Sequence, residues 1–252
     1  MIRRARIVLA LLVLAVGGIA PDASAGVFNP KTFTLDNGMQ VVLIENRRIP
    51  AVTHMVWYKA GAADEPWGQS GVAHYLEHLM FKGTRDTPPG EFSRLVAVNG
   101  GRENAFTTQD YTAYYQTVAR DRLDLVMRLE ADRMANLVID PESAKPELQV
   151  VLEERRSRVD NDPGAQLDEQ MRAVLFLHHP YGIPVIGWEP EIKRLTAAEA
   201  TQFYRTHYAP NNAILVVAGD ITVDELKPLA EKYYGAIPRR ALAPRLSVLE
   251  PN

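Results

Sequence analysis

Apolar and polar positions alternate, or run apolar, over residues 31–35 and 39–45, on either side of Asp36-Asn37-Gly38. An Asn-Gly pair between two such runs predicts a β-hairpin. Residues 51–59 read as the next strand, with His54 inside it. After a loop over 61–68, residues 72–81 contain no helix breaker and Ser70 is available as a cap, so a helix is expected there. A short helix over 91–98 should end at Asn99-Gly100-Gly101. Residues 102–108 and 111–118 are rich in β-branched and aromatic side chains and form a second hairpin around Gln109-Asp110.

In residues 123–137 the apolar positions fall at helical spacing. Asp140-Pro141 opens a further helical region running to about residue 159, with Pro146 as a second possible first-turn position. Helices are also expected over 166–177, over 196–206 with Thr196 and Glu199 as a capping box, and over 223–234. Residues 178–188 read as a Gly- and Pro-rich loop, and residues 213–218 as an apolar strand. Two hairpins, further strands and several helices without strict alternation imply an α+β fold: a mixed, largely antiparallel sheet with helices packed on it. Neither internal repeats nor low-complexity tracts interrupt the pattern.

Length and composition narrow the picture only a little. The 252 residues suffice for one large domain. A net charge of −3 carries no basic footprint for nucleic acid. Without cysteine there is no disulfide framework, and a metal site must be built from His and carboxylates. The N-terminus carries Arg3, Arg4 and Arg6, an apolar run over 7–20, and Ala23-Ser24-Ala25 before Gly26. This is the pattern of a cleaved signal peptide over 1–25. The apolar run is shorter than the ~20 residues that a spanning helix needs, so no stable membrane anchor is expected.

The chemistry centres on His74-Tyr75-Leu76-Glu77-His78. On a helix His74 and His78 stand one turn apart on one face, where two imidazoles can hold one metal ion. Glu77 lies beside that face, within reach of a water. The H-x-x-E-H order is that of the inverzincin peptidases. A catalytic zinc usually has three protein ligands, so a third is needed. Glu147 and Glu154 lie seven residues apart on one helix face, with Val150 and Val151 able to turn that face inward, while Glu153 points about 100° away. That favours Glu154 as the third ligand and Glu147 as a carboxylate orienting an imidazole. Taken alone, however, the run Glu153-Glu154-Arg155-Arg156 reads first as a solvated charged face.

The chain resembles the pitrilysin, insulinase and mitochondrial processing peptidase family. That family carries H-x-x-E-H, a ligand Glu about 75 residues later and another Glu seven before it. Here 75 residues lie between His78 and Glu154, and Glu147 holds the earlier position. The likeness extends to Gly71-Val72-Ala73, Phe81-Lys82-Gly83-Thr84, Asn104-Ala105-Phe106-Thr107, Tyr114-Tyr115, His179-Pro180-Tyr181-Gly182 and Tyr208-Ala209-Pro210-Asn211-Asn212. Where the family often has Arg after the earlier Glu, this chain has Leu148.

The resemblance implies one Zn2+ per chain on His74, His78 and Glu154, with Glu77 as general base. It further implies that Asn104 and Ala105 lie on the edge strand along which an extended peptide substrate adds as a strand. It implies a peptidase domain over 26–240, with 241–252 starting a linker to a second homologous half or partner chain. Export to the periplasm of a Gram-negative type of bacterium, or secretion, is expected. The alternative is a non-catalytic peptide-binding subunit, against which the complete set of His74, Glu77, His78 and Glu154 counts. A structural zinc site fits less well, since such sites are usually closed by four Cys-rich ligands.

Overall fold

The structure is a computed structural model that describes residues 28–251 apart from 243 and 246. The expected signal peptide lies outside the described residues. Among the described residues are six strands: β1 Lys31–Thr34, β2 Gln40–Glu45, β3 Ala51–Tyr58, β4 Arg102–Thr107, β5 Thr112–Ala119 and β6 Ala213–Gly219. They form one sheet in the order β1-β2-β6-β3-β5-β4. Every pairing is antiparallel except β2 with β6. Both predicted hairpins are present, and the Asn37 side chain donates to Tyr234 O and Ile237 O, tying the first turn to a segment 197–200 residues later.

The helices are α1 Val72–Leu79, α2 Glu91–Val98, α3 Leu123–Asn136, α4 Pro141–Arg155, α5 Pro163–Leu175, α6 Glu189–Ile192, α7 Ala197–His207 and α8 Val223–Ala230. Of these, α1, α2 and α3 pack directly on the sheet, against β3, β4 and β5. Along β3, Val52, His54, Val56 and Tyr58 are buried, whereas Thr53, Met55 and Trp57 are only half-buried. The covered face meets Leu76, Leu79, Val126, Leu129 and Val151 in one continuous core. Burying that apolar surface is the main favourable term in holding the two helices of interest against the sheet. No helix among the described residues is long and apolar enough to cross a membrane.

Several boundaries differ from the sequence reading. Gly71, not Ser70, is the N-cap of α1, in the left-handed region at φ 87°. The Ser70 hydroxyl is drawn away because it accepts from Trp188 N at 2.9 Å. Helix α4 starts at Pro141, because Asp140 caps it by accepting from Ser143 N and Pro141 fits the first helical position. Pro146 is then tolerated inside the helix for the loss of one backbone bond. In the same way Asp162 caps α5 three residues earlier than expected. Helix α6 rises at the end of the expected loop, and α8 gives way to a wider turn at Glu231–Gly235, after Pro228.

Candidate metal centre

Helix α1 stands with His74 buried toward α4 and the rings of His74 and His78 at 4.8 Å between centroids, as i,i+4 spacing dictates. The neighbouring Tyr75 fixes the helix on α4, its hydroxyl donating to Ala144 O at 2.7 Å. From α4 the Glu154 carboxylate comes to meet both rings. His74 Nε2 lies 3.3 Å and His78 Nε2 3.4 Å from the same oxygen, Glu154 Oε2. That oxygen is buried and has no hydrogen-bond partner among the described residues. One donor atom from each of the three side chains lies within 4.8 Å of the others. Donors about 2.0–2.1 Å from a tetrahedral zinc are separated by ~3.4 Å along each edge, so the two His–Glu154 separations fit such an ion.

The electrostatics suit coordination. Burial, reinforced by His78 and Arg158, brings the His74 pKa down to about 3, which keeps the imidazole neutral and its lone pair available. His78 Nδ1 faces Glu147 Oε1 at 3.0 Å. Burial works against ionisation of Glu147, but Lys82 and His78 outweigh it and hold its pKa below the usual value. As a carboxylate Glu147 only accepts, so His78 Nδ1 carries the proton and Nε2 is left as the donor toward the centre. The other Glu147 oxygen pairs with Lys82. Arg158 holds Glu154 Oε1 at 2.6 Å, leaving Oε2 directed at the histidines.

Glu77 sits beside this cluster on the side of β4. Burial raises its pKa, and the hydrogen bond from Thr107 Oγ1 to Glu77 Oε2, at 2.5 Å, partly offsets the rise. One carboxylate oxygen is thereby anchored while the acid stays closer to neutrality than an exposed Glu.

A cleft of about 670 Å³ joins all seven sequence-nominated residues: His74, Glu77, His78, Glu147, Glu154, Asn104 and Ala105. β4 is an edge strand of the sheet, with its outer side unpaired within the described residues. The Ala105 N–H donates to the Asn104 side chain at 2.9 Å.

The charged run on α4 divides. Glu153 is exposed, as the helical angle predicts, but Arg155 is only 6% exposed rather than part of a solvated face. Val151 packs inward, whereas Val150 is half exposed, because it lies on the solvent side of the Glu147–Glu154 stripe. The remaining histidines stay apart: His54 is fully buried in the core, and His179 accepts from Tyr181 N in the following turn. Sequence reading missed Thr107 as a partner of Glu77. Its presence in the matched Asn104-Ala105-Phe106-Thr107 stretch was the available signal.

Two family profiles match the chain: Insulinase (Peptidase family M16) over residues 40–189, and Peptidase M16 inactive domain over residues 194–252. The zinc protease PqqE of Helicobacter pylori is 34% identical over 230 residues, covering 91% of this chain and 52% of that protein. The crystal structure of a protease from Helicobacter pylori superposes with a TM-score of 0.83 at 34% identity, covering 88% of this chain and 54% of that one. The first half of the periplasmic protease PqqL from Escherichia coli gives a TM-score of 0.80 at 25% identity, with 88% and 48% covered. This chain thus spans about half the length of the relatives it matches.

Proposed function

The chain belongs to the insulinase family of peptidases, peptidase family M16, and from that premise we propose that it carries the zinc centre of an endopeptidase acting on unfolded or short peptides. The observation that carries this reading is the convergence of His74 Nε2 and His78 Nε2 on Glu154 Oε2, at 3.3 and 3.4 Å, with a donor atom of each side chain within 4.8 Å of the others. Zinc bound there supplies a Lewis acid for the scissile carbonyl and lowers the pKa of water.

The chain's own residues do the rest. Glu77 accepts a proton from the attacking water on its free oxygen and later delivers it to the leaving amine. Thr107 keeps that carboxylate turned toward the cleft. Glu147 holds the His78 tautomer. Asn104 and Ala105 receive an extended peptide along β4 through main-chain hydrogen bonds, which restricts substrates to chains that can offer a free strand. Residues 26–240 act as the peptidase domain and 241–252 lead toward a second homologous half, in keeping with relatives about twice as long. The N-terminal leader pattern, together with the likeness to a periplasmic protease, supports export to a periplasm.

Elemental analysis of purified residues 26–252 should find about one zinc per chain, lost or much weakened in Glu154→Gln. Glu77→Gln should keep its zinc while peptide turnover drops about 10²–10⁴-fold. A folded wild-type chain without zinc would overturn the metal reading. Zinc with wild-type turnover in Glu77→Gln would remove Glu77 as the base, and zinc without turnover in any extended form of the chain would favour the peptide-binding subunit.

A further inference from the structure

The donors come from two helices that are distant in sequence, α1 and α4, and coordination requires them to be placed to within a few tenths of an ångström. A continuous chain of contacts runs between the two helices through the segment 186–191, whose Ile186 also lines the cleft. It starts at Arg155, next to Glu154. Its guanidinium binds Glu169 of α5 through both terminal nitrogens, at 2.8 and 2.9 Å, and donates a third bond to Gly187 O at 2.8 Å.

Gly187 in turn lies against the segment that enters α1. A Cβ on Gly187 would stand 2.5 Å from Ser70 O, and a Cβ on Gly71 2.5 Å from Ile186 O; both glycines also have positive φ. Ser70 N donates to Glu191 Oε2 at 2.8 Å, and Trp188 N donates to Ser70 Oγ at 2.9 Å. Glu65 completes the path. Its two oxygens accept from Gly71 N and Ala73 N, each at 2.9 Å, so it takes up unpaired donors at the start of the helix that carries both histidines.

We propose that Arg155 and Glu65 are positioning residues for the metal centre, the two ends of a brace through segment 186–191, which runs into α6, that sets the rotation and separation of α1 relative to the end of α4. This rests on the zinc reading given above. The chemistry of the end groups supports it. A Lys at 155 would keep the charge but could not form a bidentate pair with Glu169 and reach Gly187 O at once. A Gln at 65 has one acceptor oxygen and an amide that cannot accept, so one of the two N–H bonds is lost. Neither residue is among the proposed metal ligands.

The test compares the wild-type chain with Arg155→Lys, Glu65→Gln and Glu169→Gln. Zinc affinity is measured by chelator competition, coordination geometry by the visible absorption of the Co2+-loaded protein, and folding by circular dichroism of the metal-free protein. Each variant should bind zinc about tenfold or more weakly and shift the cobalt bands, with its metal-free fold retained. The Arg155→Lys/Glu65→Gln double variant should lose less than the product of the two single losses, because both act through one path. Zinc affinity within about twofold of wild type, with unchanged cobalt spectra, would overturn the brace. If either end variant fails to fold, Glu169→Gln decides in the same two directions, since it breaks the bidentate, charged anchor of Arg155 without touching α1. A wild-type chain that binds no zinc overturns the underlying metal reading, an outcome distinct from loss of the brace alone.

Discussion

At the scale of single residues, two histidines show how surroundings set a role. His74 presents Nε2 to Glu154, whereas both His54 nitrogens are already engaged, Nδ1 with Gln116 Oε1 and Nε2 with the Tyr234 hydroxyl, each at 2.8 Å. Gln116 passes its amide on to Glu130, which forms a buried pair with Arg133. Arg133 is in turn enclosed by the rings of Phe81, Phe92 and Tyr114. Burial lowers the His54 pKa, partly offset by Glu130 and Gln116. The folded ring therefore stays neutral where the unfolded ring, at about 6.5, takes up a proton. Stability present above pH 6.5 should be lost as pH falls below it, at up to about 1.4 kcal/mol per pH unit for this group. Urea unfolding of the metal-free chain between pH 8 and 5 should show a fall to which His54 and His74 both contribute, and His54→Gln should lessen it by up to about 1.4 kcal/mol per pH unit. Equal slopes in the two proteins would contradict the account.

At the scale of elements, β4 combines two duties. Its inner side is laddered to β5, and Thr107 reaches Glu77. In an antiparallel edge strand every second residue turns its N–H and C=O outward, and the Ala105 N–H is occupied by its neighbour's side chain. Replacing Ala105 with Pro removes that donor at an edge position, where proline is tolerated. Peptide hydrolysis should fall about tenfold, chiefly through a higher KM, with the midpoint of thermal unfolding little changed. Unaltered kinetics would exclude strand addition at this edge. Helix α4 is the complementary case: Asp140 and Pro141 begin it early, and its length delivers both Glu147 and Glu154 to the cleft, two turns apart.

At the scale of the whole molecule, the chain covers about half of its relatives. On the proposed reading, the described residues bring three donors, a base and a receiving strand to one cleft. Further donors aimed at the reacting carbonyl would come from a second half, and the loss of one such donor typically costs 10²–10³-fold in turnover. Zinc binding by residues 26–252 should therefore match that of a chain extended to the length of the relatives, while kcat for a short peptide rises about a hundredfold on extension. Single-turnover kinetics on both forms would check this, and equal kcat values would show that the half is catalytically complete.

Local chemistry made much of this readable in the sequence. The Asn-Gly turn, the β-branched and aromatic residues of β3, the Thr196–Glu199 capping box and the i,i+4 histidines are short-range patterns with short-range causes, and the α+β class follows from them. The seven-residue spacing put Glu147 and Glu154 on one face, but only tertiary packing turned that face toward α1 instead of solvent. The fold alone decided that β2 pairs in parallel with β6, that Arg155 is buried against α5 and Gly187, and that the Glu65 carboxylate accepts from the first N–H groups of α1. Those contacts join segments distant along the chain, or depend on a loop's path, and a periodic pattern of apolar and polar residues carries no information about either.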